Sequence, residues 1–343
     1  MNNTLTALKG VRVGHSTHKD KLTGCTVVLF DDLYPVAYKS YGGAPGTFST
    51  ENIRAGKSWS ARNGLFIAGG SLLGLASASD IMSYMIEHKL GAKDGKTIRP
   101  AISGAIVYDL GIRLAQYDPA YGREAAQNAT NKPVESGNVG AGTGTSVGKF
   151  SYTKEFKMLN MKAGVGSSRV DLGNGVMVCA LSVVNALGNV ILQDGKVLAG
   201  NRHDAKNPKF RSFDKTSEVF TGSEQNTTIS IVGINVDLEE YANYETVAHM
   251  ASQGHVRAVS PVNTSLDGDT VFVFSTKEVK SPLSSLGKSV ARNGWPTLAT
   301  DIIGHAAAKA VQESIYDACR QAETITLDAA YGNKVPSVKA YPG

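Results

Sequence analysis

The chain has 343 residues, 42% of them hydrophobic and 19% charged, which suits one large domain or two intimate ones around a sizeable core. Its 35 basic and 30 acidic residues leave a net charge of +5 spread without any basic run, which argues against a nucleic-acid stripe or a membrane-binding basic helix. The opening MNNTLTALKG lacks the basic and apolar regions of a secretory signal, and the apolar passage 65–78 is broken by Gly69, Gly70, Ser71 and Gly74. A cytoplasmic location is therefore expected.

In chain order, apolar runs at 25–30 and 65–68 read as strands, followed by a helix over 71–87 with Leu72, Leu75, Ile81, Met82, Met85 and Ile86 on its apolar face. Strands are predicted at 101–108, 176–184 and 227–236, a helix at 238–250, a strand at 270–274 and a last helix at 298–322. The polar stretches 200–225 and 277–295 read as loops. This mixture predicts α/β layers. Cys25, Cys179 and Cys319 are odd in number and form no CxxC, so they read as buried apolar filler in a reducing compartment.

The segment GNVGAGTGTSVGK, residues 137–149, fails both phosphate-loop templates. Thr145 stands where GxGxxG needs its third glycine, and Phe150 stands where GxxxxGK[ST] needs a hydroxyl. The following KFSYTKEF reads as a strand, not as a phosphate-binding helix. These glycines instead allow close backbone approach, with bare amides and one cation, Lys149, toward a pocket. His15 and His18 lack the acidic companion of HExxH, and no metal site is expected; His249, His255 and His305 read as surface or helix-end residues. No Gly-x-Ser-x-Gly elbow is present.

The stretch SPVNTSLDGDTVFVFST, residues 260–276, sets Asn263, Thr264, Asp267 and Asp269 immediately before an apolar strand. A polar turn is one reading. The other is a nucleophile: if the Asn263–Thr264 bond is cut, the α-amino group of Thr264 can act as general base for its own Oγ. Such an amine titrates at about 7.7 to 8.0, and an ammonium close by, for which Lys149 is the candidate, would lower that value. Asn185, closing VCALSVVN, could donate to an oxyanion. Asp267 and Asp269, flanking Gly268, read as shaping the turn.

Taken in order, GVRVGHST with TGCTVVLF, YGGAPGT, AGGSLLGLASASDIM, AIVYDLG, GNVGAGTGTSVGK and SPVNTSLDGDTVFVFST resemble the P1 (S58) family of self-processing peptidases, from about residue 8 to 320. That family includes D-aminopeptidases, β-peptidyl aminopeptidases and nylon-oligomer (6-aminohexanoate oligomer) hydrolases. The resemblance implies an α/β fold, a four-layer αββα sandwich of the N-terminal-nucleophile-hydrolase type. It implies self-cleavage into a large chain, 1–263, and a small chain, 264–343, that remain one domain and assemble as a homotetramer. Thr264 matches the nucleophile, Lys149 and Asn185 the polar pocket, and Tyr108 in AIVYDLG the active-site tyrosine. The family's acid before the final helix falls on Asp301, for which a helix N-cap or first-turn role is the alternative.

The expected activity is amide hydrolysis through an acyl-threonine, on linear 6-aminohexanoate oligomers or, alternatively, on short peptides with D-, β- or small N-terminal residues. A non-catalytic scaffold is the remaining possibility. No metal or organic cofactor is implied, and the expected partner is a small amide or peptide, not nucleic acid or membrane.

Overall fold

A computed structural model describes residues 2–110, 121–151, 159–202, 210, 212–213, 220–221, 226–279, 297–326 and 334–341. The strands that build the fold are β1 (Val11–His18), β2 (Thr23–Ser40), β3 (Ala61–Ala68), β4 (Ile102–Ile106), β5 (Val165–Gly173), β6 (Val176–Asn185), β7 (Thr227–Val236) and β8 (Thr270–Val279). The helices are α1 (Ser77–Glu87), α2 (Tyr121–Gln127), α3 (Tyr241–Ala258) and α4 (Thr297–Gln321).

Hydrogen bonding links the strands in the order β5-β6-β7-β8-β2-β3-β4 and then the short strand Thr47–Phe48, with β1 also on β2. β2 is the shared member: Thr23 to Phe30 pairs β1, whereas Val36 to Ser40 pairs β8, and its ladder with β3 shifts register between Leu29 and Tyr34. Such a break lets a strand bend. The two halves of the ladder then pack against each other as two sheets.

Alternation along the strands sorts the side chains into layers. On β8, Phe272 and Phe274 enter a core shared with Val28, Leu65 and Ile67 of the other half, while Val271 and Val273 join the core under α3 and α4. On β3, Leu65 and Ile67 face that intersheet core, and Phe66 and Ala68 pack with Ile81 of α1 and Ala125 of α2. The result is helix, sheet, sheet, helix: the four-layer αββα sandwich. Both faces of the central strands are buried, which is why they read as unbroken apolar runs.

Several elements exceed what the sequence suggested. The 25–30 run continues to Ser40, β1 and α2 were not predicted, and 71–87 divides into a 3-10 segment, Ser71–Ala76, and α1. Of 149–156, Phe150–Ser151 is a strand and 152–156 lies outside the described residues, as do most of 200–225 and 277–295. His255 lies at a helix end, in the last turn of α3, and not at the surface: it is buried at 1% exposure and shares a hydrogen bond with Ser230 Oγ, and burial lowers its pKa to about 4. The three cysteines are buried and free. No described helix is long and apolar enough to cross a membrane.

Candidate active site

Strand register gathers the candidate residues at one rim. Asn185, the last residue of β6, pairs with Thr227 at the start of β7; Ile229 of β7 pairs with Thr270 at the start of β8; Thr270 also pairs with Ser40 at the end of β2. The segments just outside these strand ends therefore meet. Asn226 bridges to Asp267, Gly43 N–H donates to Thr264 O at 3.0 Å, Ala44 N–H donates to Asp267 O at 2.8 Å, and Gly268 N–H donates to Asn226 O at 2.7 Å.

This packing explains the paired glycines of YGGAPGT. A Cβ on Gly42 would lie 2.0 Å from Asp267 O, and one on Gly43 would lie 2.7 Å from Ser265 Cα, so neither position has room for a side chain. The 137–149 glycines behave alike: a Cβ on Gly148, at φ +75°, would lie 2.0 Å from Asn201 N. Behind that segment is a cation the sequence had not singled out. Lys162 is fully buried and its Nζ donates to Gly142 O at 2.8 Å, and burial lowers its pKa to about 7.

The 263–269 turn wraps its two carboxyls around the Asn263–Thr264 peptide. Asn263 has φ +57°, a left-handed conformation that asparagine tolerates better than most residues. Its N–H donates to Asp269 Oδ2 at 2.9 Å, and Thr228 N–H donates to Asp269 Oδ1 at 2.5 Å. Thr264 N–H donates to Asp267 Oδ2 at 2.7 Å, and Leu266 N–H reaches Thr264 Oγ1 at 3.4 Å.

Both carboxyls are 2% exposed. Burial raises the Asp267 pKa, opposed by hydrogen bonds from the Thr264 amide and hydroxyl and by the charge of Lys149. Burial and then repulsion from Asp267 raise that of Asp269, opposed by the amides of Thr228 and Asn263 and by Lys149. Lys149, 8% exposed, is thus the cation facing the pair, fixed by its own N–H to Leu187 O at 2.9 Å.

Asn185 is buried, with Oδ1 accepting from Ser146 N–H at 3.2 Å and Nδ2 donating to Tyr108 O at 2.7 Å. One amide hydrogen is committed to bracing the Tyr108 backbone; the second has no acceptor among the described residues. Thr264, Lys149, Asn185 and Tyr108 are therefore linked through one set of turns. Asp301 is not brought into that set: it is exposed on α4 and has no described contact with Thr264. The acids on the Asn263–Thr264 peptide are Asp267 and Asp269, whose bonds to backbone N–H groups no sequence motif displays.

The model of peptidase family S58 matches residues 3–330. The chain belongs to that family. It is a hydrolase of amide or peptide bonds. The S58 chain is 29% identical to an uncharacterized aminopeptidase of Mycobacterium leprae, with 97% of this chain and 94% of that one covered. It is 28% identical to a 6-aminohexanoate-oligomer endohydrolase of Kocuria sp. (strain KY2), covering 88% and 84%.

Among solved structures it superposes on a Burkholderia sp. β-aminopeptidase with TM-score 0.70, 18% identity and coverage of 98% and 91%. It superposes on the L-aminopeptidase D-Ala-esterase/amidase of Ochrobactrum anthropi with TM-score 0.67, 19% identity and the same coverage. That second structure is described as a variant of the N-terminal-nucleophile hydrolase fold, so the sandwich of this S58 chain has that architecture.

Proposed function

We propose that this S58 hydrolase matures by cutting its own Asn263–Thr264 bond and then uses Thr264 as an N-terminal nucleophile. The observation that carries the reading is the anchoring of the Thr264 amide to Asp267 at 2.7 Å, at a rim where Asn185, Lys149 and Tyr108 also converge. The products are a large chain, 1–263, and a small chain, 264–343, held together by β2, β7 and β8, which pair across the cut.

In turnover, Thr264 Oγ attacks the substrate carbonyl while the freed α-amino group takes the hydroxyl proton. The second Asn185 Nδ2 hydrogen and neighbouring loop amides hold the oxyanion, and Tyr108 orients the substrate. The amine returns its proton to the leaving nitrogen, and water then releases the acid from the acyl-threonine. Lys149 lowers the amine pKa by charge repulsion, and the two aspartates moderate that effect.

The substrates we assign are linear amides such as 6-aminohexanoate oligomers, cut internally by a homotetramer of cleaved units in the cytoplasm. The second reading, release of N-terminal D-, β- or small residues from short peptides, is favoured by the fuller coverage of the mycobacterial aminopeptidases. Internal products from a 6-aminohexanoate oligomer against single residues from a peptide amino end separate the two.

Thr264→Ala tests the reading. It should fold, stay one chain of 36.1 kDa and lack amidase activity, whereas Thr264→Ser should still be cut. Sequencing of the wild-type small fragment should begin Thr-Ser-Leu-Asp-Gly-Asp. Full amidase activity in uncut Thr264→Ala protein would overturn the mechanism.

A further inference from the structure

Before the cut, the nitrogen of Thr264 is an amide. Its lone pair is delocalised into the carbonyl, so it cannot serve as the base that later activates Oγ. Maturation therefore needs a proton acceptor that turnover does not. The inference rests on the proposed cleavage at Asn263–Thr264.

We propose that Asp267 is that acceptor, the general base and then the general acid of self-cleavage. Its Oδ2 accepts the Thr264 N–H at 2.7 Å, which sets the carboxyl against the atom that must gain a proton, and the hydroxyl of the same residue, which must lose one, acts on that carboxyl to hold its pKa down. Oδ1 is buried with no hydrogen-bond partner among the described residues. A carboxylate oxygen left without a donor in a dry site has a high affinity for a proton.

The step balances. Asp267 takes the proton of Thr264 Oγ as the oxygen bonds to the Asn263 carbonyl carbon. Asp267 then gives that proton to the Thr264 nitrogen as the C–N bond breaks, leaving an ester between Asn263 and Thr264 Oγ. Water hydrolyses the ester to the Asn263 carboxylate and restores the Thr264 hydroxyl beside a free amine.

The surroundings suit a tuned base. The charged groups acting on Asp267 are Asp269 on its own turn and Lys149 from the glycine-rich segment. The 41–44 loop meets it through Gly42 and Ala44, and the start of β7 through Asn226. Burial raises the pKa, which strengthens the carboxylate as a base while Lys149 keeps its charged form accessible.

The experiment follows cutting of freshly expressed full chains by intact mass against time and pH. Wild type, Thr264→Ala, Asp267→Asn and Asp267→Glu are compared, with thermal melting of each. Asp267→Asn should melt as a folded chain yet be cut about 100-fold more slowly or worse, the lower end of what a general base contributes. The wild-type cutting rate should rise with pH through a limb lying above the ordinary carboxylate range, and Asp267→Asn should lack that limb. Wild-type cutting rate and an unchanged limb in Asp267→Asn would overturn the assignment while leaving the nucleophile reading intact. Wild type that never cuts at Asn263–Thr264 would instead overturn the reading beneath it. Should Asp267→Asn show no melting transition, Asp267→Glu decides: a shifted limb, or a folded chain left uncut, supports the base, and an unchanged profile overturns it.

Discussion

Residues 263–269 and 270–274 are neighbours on one chain and opposites in physics. The strand places Phe272 and Phe274 between the sheets and Val271 and Val273 under the helices, all fully buried in apolar cores. The turn before it holds a left-handed Asn263, two buried carboxyls with raised pKa values, and side-chain oxygens of Asn263 and Asp267 that lack partners among the described residues. Strain and unpaired polarity persist only where the surroundings over-determine them. Here the ladders of β8 with β7 and β2 do so. The strand supplies stability, and the turn holds the strained and unpaired groups on which the proposed cleavage rests.

The sharpest way to break this contrast is to weaken the strand in an uncut Thr264→Ala background. Phe272 is fully buried and lies 6.0 Å from the Tyr38 ring, centroid to centroid. Phe272→Ala should cost about 3 to 5 kcal/mol in urea unfolding, through lost burial and a residual cavity. A loss below about 1 kcal/mol would mean that the strand is not the anchor.

Much of this contrast is legible in the residues. Val271 to Phe274 read as a buried strand because both faces are covered, and Thr264, Lys149 and Asn185 stand out through motif and chemistry. The edge strand β5 is not legible: it begins VGSSR, and a Cβ on Gly166 would lie 2.1 Å from Ser314 O of α4, so close helix packing replaces apolar bulk. Helix α2 has only seven residues, too few to display a period. Asp267 and Asp269 read as turn formers, which they are. Their grip on the Asn263, Thr264 and Thr228 amides depends on burial and on which N–H each oxygen meets, and a linear sequence shows neither. Asp301 illustrates the converse, since order along the chain favours it while the described contacts lie elsewhere.

A smaller effect sharpens the electrostatic half of the comparison. The folded-state pKa of Asp269 is raised, so the folded chain holds this proton to higher pH than the unfolded chain, whose reference value is 3.8. Its contribution to stability is then greatest below the unfolded value, declines as pH rises toward the folded value, and is flat above it. Asp269→Asn removes that titration. It also loses one acceptor for the Thr228 or Asn263 N–H, a cost of about 1 to 3 kcal/mol. In the uncut background, the stability deficit of Asp269→Asn relative to its parent should shrink as pH rises from about 4 toward neutrality. A deficit that grows with pH would show the carboxylate to be stabilised by its amide donors instead.

The smallest effect separates conformation from contact at Asn263. Its side-chain Oδ1 makes no hydrogen bond among the described residues, so asparagine suits this position through its tolerance of φ +57°. Glycine adopts that region without steric cost, alanine is penalised by about 1 kcal/mol, and a β-branched residue by more. Asn263→Gly should therefore match its parent within a few tenths of a kcal/mol, and Asn263→Ala should lose about 1 kcal/mol, both measured uncut by urea unfolding. With Thr264 intact, Asn263→Gly should still be cut, because the backbone keeps its donor to Asp269 and presents the same carbonyl to Thr264 Oγ. Asn263→Val should be cut more slowly as the carbonyl is turned away. Equal cutting of the glycine and valine chains would show that the left-handed turn is incidental to the attack.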